Sequence, residues 1–169
     1  VEPLVPQSHH TPRDWIVEAF TAAKPMVIES LQMARSTITV SFDHWLADNE
    51  LDLLGVVAHY LDSNLELKTV LLALKPSYGH DAQELQETLL SVLREYKISD
   101  KIGYFIADNA ANNDAALRLL SHHIDVKPAR QRLRCSGHVI NLVVKAILYG
   151  VDSECMLDAA LSEADYGGD

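Results

Sequence analysis

The chain has 169 residues, of which 48% are hydrophobic and 22% charged; this is the composition of one folded domain and excludes a disordered or low-complexity protein. It carries 14 Lys and Arg against 24 Asp and Glu, and the net charge of −10 excludes a protein that coats nucleic acid through a uniformly basic surface. No stretch approaches the ~20 consecutive apolar residues of a transmembrane helix, so we expect no membrane partner.

The sequence divides into three segments. We predict a leading loop and helix at 1–35, a core at 36–150 and an acidic tail at 151–169, where six acids and no Lys or Arg occur. The two cysteines, Cys135 and Cys155, do not make a disulfide framework and favour a reducing compartment. The chain does not begin with Met and lacks a signal-peptide pattern, so we expect it to be part of a longer protein.

The first half of the chain predicts one helix and three strands. Apolar residues repeat at helical spacing after Pro12, and we expect Pro25 to kink or break that helix. Alternating or β-branched apolar residues then predict strands at 37–42, 51–61 and 65–74. Because the links between these strands are short, an antiparallel meander is expected.

The second half alternates helices with strands. A capping signal at Asp81 begins a helix with one apolar stripe, and a short apolar strand follows at 104–107. We then predict a helix at 112–121, a strand at 132–135 and a helix at 136–148 that is apolar almost all round and therefore buried. The order β-β-β-α-β-α-β-α predicts an α/β fold, a mixed sheet with helices on both faces.

Two acids follow strands of this predicted sheet. Asp43 lies at or just past the end of the first strand, and Asp108 comes directly after the fourth. If those strands are parallel neighbours, both carboxylates lie at one sheet edge, where a divalent cation relieves their repulsion. Oxygen ligands suit Mg²⁺ or Mn²⁺, which promote cleavage of phosphodiesters. The alternative is that each Asp caps a turn or a helix.

Polar and aromatic residues next to these acids have two interpretations each. Asn109, Asn112 and Asn113 are typical of a tight strand-to-helix turn, and their amides could also orient the acid or contact a phosphate. Trp45 is interpreted as a core residue beside the same sheet edge.

A Cys and a His form half of a zinc pattern. Cys135 and His138 have the spacing of one ligand pair, and His122 and His123 could supply further ligands. A closed zinc site usually has two clear pairs, so the alternative is a packed Cys and a helix-capping His.

Four cations crowd into eight residues of an otherwise acidic chain: Lys127, Arg130, Arg132 and Arg134. Arginine and lysine side chains at such a density bind phosphates, which makes the cluster a candidate DNA contact. The alternative is a solvated surface loop.

Taken together, residues 30–150 resemble the catalytic domain of hAT-superfamily DNA transposases, the Activator and hobo type. The resemblance depends on five motifs in the family's order: Ser41-Phe-Asp-His-Trp45, Gly55 to Asp62, Gly79-His80, Asp108-Asn-Ala-Ala-Asn-Asn113 and Arg134-Cys-Ser-Gly-His-Val-Ile-Asn-Leu142. It implies an RNase H-like fold and a nuclear protein that cleaves and joins DNA with Mg²⁺ or Mn²⁺. It also implies that Asp43 and Asp108 are the catalytic metal ligands, with Cys135 and His138 near the active centre.

The chain departs from this family in its acids. Family members use a third acid, a Glu, after a long helical insertion, and this chain ends at Asp169, where that insertion would begin. We therefore expect the isolated chain to have little or no cleavage activity, and any homo-oligomer to form through regions outside it. The alternative is a domesticated, transposase-derived module that binds protein or DNA without catalysis.

Overall fold

The computed structural model describes residues 10–47, 50–77 and 81–149. In these ranges the strands are β1 (Ile38–Leu46), β2 (Asp52–Leu61), β3 (Leu67–Pro76), β4 (Ile102–Ala107) and β5 (Arg132–Arg134). The helices are α1 (His10–Gln32), α2 (Ala82–Glu95), α3 (Ala111–Leu120), α4 (Pro128–Gln131) and α5 (Ser136–Tyr149). The predicted order of strands and helices is confirmed, with α4 as one additional helical turn.

The five strands form one mixed sheet in the order β3-β2-β1-β4-β5. β1, β2 and β3 make the predicted antiparallel meander, while β4 pairs parallel with β1 and β5 pairs parallel with β4. The sheet has helices on both sides, as expected. β1 is therefore central, with a meander on one side and the βα units on the other.

One face of the sheet carries the hydrophobic core. Val40 and Phe42 of β1 and Phe105 of β4 are buried on this face, and the rings of Phe42 and Phe105 meet edge to face at 6.4 Å. The buried sides of α2 and α3 and the end of α1 at Leu31 pack here. Alternate residues of β1, such as Ser41 and Asp43, consequently point to the opposite face.

α1 does not break at Pro25, which was one of the two predicted effects of this proline. The helix runs from His10 to Gln32 with Pro25 inside it. A proline removes the hydrogen bond to the carbonyl four residues earlier, here that of Thr21. Because Thr21 is exposed, solvent can reach that carbonyl, and the helix continues to the packed residue Leu31.

α5 is not buried, although its apolar sequence predicted that it would be. Ile140 is 62% exposed and Ile147 is 75% exposed. The helix begins over the sheet, but its later turns have no covering element in the described part of the chain. The apolar composition of α5 predicted that it would be buried. Burial also requires neighbouring elements that cover the helix. None of the described helices is both long and apolar enough to cross a lipid bilayer.

Candidate functional site

The two predicted acids lie near the point where the pairing of β1 with β4 ends. β1 and β4 are parallel neighbours, and Ser41 pairs with Ile106. The pairing ends there; Asp43 follows two residues later within β1, and Asp108 comes directly after the end of β4. Neighbouring strands are about 4.8 Å apart, which brings the two backbones close. The sequence expectation that these strands are parallel neighbours is therefore correct.

A groove of 670 Å³ lies on the face of the sheet opposite the core. Asp43 and Asp108 both line it, and Leu71 and Leu74 of β3 form an apolar wall. Two polar residues one helical turn apart on α5, His138 and Asn141, line its other side. The groove thus combines two acids with a partly apolar wall.

Asp108 is held by the turn that follows β4. Its Oδ1 accepts hydrogen bonds from the Ala110 backbone N–H at 3.1 Å and from Asn113 Nδ2 at 2.5 Å. Asn113 is buried at the start of α3. The turn interpretation of Asp108 is therefore correct for one carboxylate oxygen, and its Oδ2 has no hydrogen bond within the described residues.

Asp43 has a different environment. Its side chain is exposed and makes no hydrogen bond or ion pair with any residue in the described ranges. It lies inside β1, three residues before the strand ends, because pairing with β2 extends β1 as far as Leu46. The acid therefore has a fixed backbone and an unengaged carboxylate.

Trp45 is not a core residue, contrary to the prediction. It is 40% exposed and lines the groove, because the longer β1 places it on the same face as Asp43. Its ring lies across Gly55 of β2, where an added Cβ would be 3.1 Å from Trp45 Cζ3. Trp45 thus forms part of the groove beside the acids.

The described residues include the candidate ligands of both predicted metal sites but no assembled site of either kind. Nowhere in the described ranges do three His, Cys, Asp or Glu side chains come together to hold a metal ion. Cys135 is a free thiol in the groove near His138, while His122 and His123 are exposed just after α3. Asp43 and Asp108 would supply the first two of the oxygen ligands that Mg²⁺ or Mn²⁺ requires.

The basic cluster divides into exposed and engaged cations. Lys127 and Arg130 are exposed. Arg134 Nη1 donates to Asn109 Oδ1 at 2.8 Å, and Arg134 Nη2 lies 3.7 Å from Asp114 Oδ2. Arg132 is the most enclosed, with a side chain that is 8% exposed.

Asn112 lies in the first turn of α3, half-buried. The Ncap of this helix is Ala110, whose side chain makes no capping hydrogen bond. Among the described residues, Asn109 accepts a hydrogen bond from Arg134. Asn113 makes the side-chain hydrogen bond that orients Asp108.

Sequence reasoning missed two polar networks. Asp114 accepts a hydrogen bond from Arg132 and forms an ion pair with Arg134 at 3.7 Å. The available signal was an acid in the first turn of α3 together with two alternate arginines in a short strand. A second network crosses the meander, with His59 between two hydroxyls. His59 Nε2 is 2.9 Å from Ser41 Oγ, and His59 Nδ1 is 3.1 Å from Thr69 Oγ1.

The five-stranded mixed sheet in the order β3-β2-β1-β4-β5, with helices on both sides, is the architecture of an RNase H-like domain. Residues 41–139 match the family described as the ZBED1 RNase-like domain. The match covers more than half of the chain, and the chain belongs to this family of transposase-derived RNase H-like domains. The predicted resemblance is confirmed at this level.

Two individual proteins are similar to this chain. The "Putative transcriptional regulator tpeD" of Talaromyces stipitatus is 24% identical over 152 residues, which cover 86% of this chain and 18% of that protein. The chain thus spans less than a fifth of that relative. The solved structure of the Mos1 transposase catalytic domain with raltegravir and Mn covers 88% of this chain and 80% of that chain, at 15% identity and a TM-score of 0.34. This last similarity is too loose to support an argument about this site.

Proposed function

We propose that the chain is the amino-terminal part of a hAT-type DNA transposase catalytic domain, in which Asp43 and Asp108 hold Mg²⁺ or Mn²⁺. The observation that carries the proposal is that Asp43 of β1 and Asp108, which directly follows the parallel neighbour β4, line one groove. Two neighbouring carboxylates repel each other, and a bound cation relieves that repulsion. Such an ion, when bound, supplies an activated oxygen nucleophile and stabilisation of the leaving oxygen of a phosphodiester.

The roles of the protein's own residues follow from their environments. Asp43 approaches the groove with an unengaged carboxylate, whereas Asp108 is oriented by Asn113 and Ala110. The exposed Lys127 and Arg130 are the cations we propose as phosphate contacts, because phosphate binding needs an accessible positive charge. DNA is thus the proposed partner and the nucleus the proposed location.

The described residues provide two acids for the proposed metal and not three. The described ranges contain no cluster of three possible metal ligands. A cation held by only two carboxylates would depend on water for its other ligands, so the protein's own residues would position the substrate poorly. The isolated chain is therefore proposed to bind the metal weakly and to cleave DNA little or not at all.

A second candidate is a domesticated module that binds protein or DNA without catalysis. The observation in its favour is the tpeD relative, which is named as a transcriptional regulator. In this case the groove acids would be relics, and metal binding would serve no purpose. A full-length reading frame that carries a Glu beyond a helical region favours the transposase, whereas fusion to unrelated domains favours the module.

A Mn²⁺ titration followed by NMR tests the metal site. We expect paramagnetic broadening of the Asp43 and Asp108 amide signals at about millimolar Mn²⁺, since a two-carboxylate site is weak. The Asp43→Asn, Asp108→Asn double variant should lose this broadening, because its amides carry no charge.

The matched control is Asp100→Asn, which removes an exposed acid at the opposite end of β4 and should leave the broadening intact. Absence of any response at Asp43 and Asp108 would refute the metal site. Equal broadening in the double variant would show that the ion binds elsewhere.

A further inference from the structure

We propose that Arg132 is a positioning residue that holds the Asp108 turn, instead of the DNA contact predicted from sequence. The inference rests on the proposed function, since it concerns how Asp108 is presented in the groove. Arg132 Nε donates to Asp114 Oδ1 at 3.0 Å, and its Nη1 donates to the Ala107 carbonyl at 3.1 Å. Its Nη1 also donates to the Leu133 carbonyl and its Nη2 to the Asp108 carbonyl.

These acceptors surround the turn between β4 and α3. The carbonyls of Ala107 and Asp108 belong to the last residue of β4 and the first of the turn, and Asp114 belongs to the first turn of α3. The guanidinium therefore ties the short strand β5 to both sides of the turn. A side chain that is 8% exposed and bound to four protein acceptors has little capacity left for a phosphate.

Asp108 is consequently fixed from two directions. Arg132 binds its backbone carbonyl, while Asn113 and the Ala110 N–H bind its carboxylate Oδ1. Fixing both the peptide and one carboxylate oxygen defines where the other oxygen lies. Outer contacts of this kind orient a metal ligand, and their loss typically weakens metal binding about 10–100-fold.

The fork shape of arginine suits this task better than lysine. A planar guanidinium can reach a carboxylate and two successive carbonyls at once, whereas an ammonium is a compact point charge on a flexible stem. Arg132→Lys should keep the charge opposite Asp114 but release at least one carbonyl. This variant separates the hydrogen-bond geometry from the charge.

Arg130 is the natural comparison. It lies two residues earlier in α4 and is exposed, and its guanidinium makes no hydrogen bond or ion pair within the described ranges. If Arg130 contacts a phosphate and Arg132 does not, the salt dependence of DNA binding separates them. Removing one phosphate contact lowers the slope of log K against log salt by about 1.

The experiment uses the 169-residue chain with Gln and Lys variants at 130 and 132. Duplex DNA binding is measured against salt, and Mn²⁺ binding by paramagnetic broadening. We expect Arg132→Gln to keep the wild-type salt slope and to weaken Mn²⁺ binding by about 10–100-fold. Arg130→Gln should lower the slope by about 1 and leave Mn²⁺ binding unchanged.

A third readout needs no metal. The exchange rate of the Ala110 amide hydrogen reports its bond to Asp108, and it should rise in Arg132→Lys but not in Arg130→Lys. The amide of Val56 in the core should exchange as in the wild type, so a general loss of stability is recognised.

The outcomes are separable. A lowered salt slope in Arg132→Gln with unchanged Mn²⁺ affinity overturns the positioning role, as does wild-type exchange of Ala110 in Arg132→Lys. If Arg132→Gln does not fold, Arg132→Lys decides through Ala110 exchange and Mn²⁺ affinity. If the wild type binds no Mn²⁺, the proposed function fails, and Ala110 exchange still decides the role of Arg132.

Discussion

Gly103 shows how closely the sheet is packed at the level of one residue. It lies in β4 beside Thr37, and a Cβ added to Gly103 would be 2.8 Å from Thr37 Cβ. Thr37 cannot withdraw this atom by rotating its side chain, because Cβ is attached directly to the backbone. A side chain at position 103 therefore requires β1 and β4 to separate locally.

We expect Gly103→Ala to lower the free energy of unfolding by about 1–3 kcal/mol, the usual cost of overpacking. The control is Gly137→Ala, where the nearest atom to the added Cβ is Cys135 Sγ at 3.8 Å, an ordinary contact. Thermal denaturation of both variants checks the prediction. Equal melting temperatures for the two variants would contradict it.

At the residue scale, the sequence could predict only those parts of the candidate site that depend on a residue and the strand next to it. Asp43 and Asp108 were selected as candidates because each lies near the end of an apolar run in the sequence. The contacts of Arg132 were not predictable, because its partner Asp114 is eighteen positions away and only the tertiary fold brings the two side chains together. Sequence composition alone makes such an arginine look like a phosphate ligand.

The β2–β3 turn provides a test at the scale of an element. Asp62 Oδ1 accepts from the Asn64 N–H at 2.8 Å and from the Glu66 N–H at 3.0 Å. Both bonds lower the pKa of Asp62 below its ordinary value of 3.8, and the bond from the Glu66 N–H has the larger effect. The charged form thus stabilises the turn whenever the pH lies above the unfolded-state pKa.

Asp62→Asn should lower the stability at neutral pH, since the amide keeps one acceptor but loses the charge. The difference from wild type should shrink as the pH falls below 3.8 and through the lowered pKa of the folded state. Urea denaturation across the pH range measures it, with Asp100→Asn as the comparison. A difference that is constant with pH would contradict the linkage.

Strands were predicted better than the burial of helices. The meander followed from alternation and turn residues, which are local. The end of β1 was placed too early, since the pairs from Asp43 with Gly55 to Leu46 with Asp52 continue past the apolar run. Burial of α5 could not be read from its own residues, because burial belongs to the neighbouring surface as much as to the helix.

The molecule as a whole has a well-packed core on one side of the sheet and exposed apolar side chains elsewhere. Leu89 of α2 is fully buried, whereas Ile147 of α5 is 75% exposed. Most surface substitutions change stability by less than about 0.5 kcal/mol, whereas removing a buried Leu costs about 2–5 kcal/mol. The two positions should therefore respond very differently to mutation.

We expect Ile147→Glu to leave the unfolding free energy unchanged within about 0.5 kcal/mol and to reduce binding of a hydrophobic dye. Leu89→Ala should lose about 2–5 kcal/mol. Urea denaturation and dye fluorescence measure both. A large loss of stability in Ile147→Glu would mean that α5 is covered in solution.

The pairing of β1 with β4 has one further consequence for the groove. Successive side chains of a strand alternate between faces, so one residue inserted into β1 ahead of Asp43 would turn that acid toward the core and send Phe42 into the groove. Changes in chain length can therefore be accommodated in the connecting loops and not within these two strands. The register of the strands therefore decides which side chains face the groove.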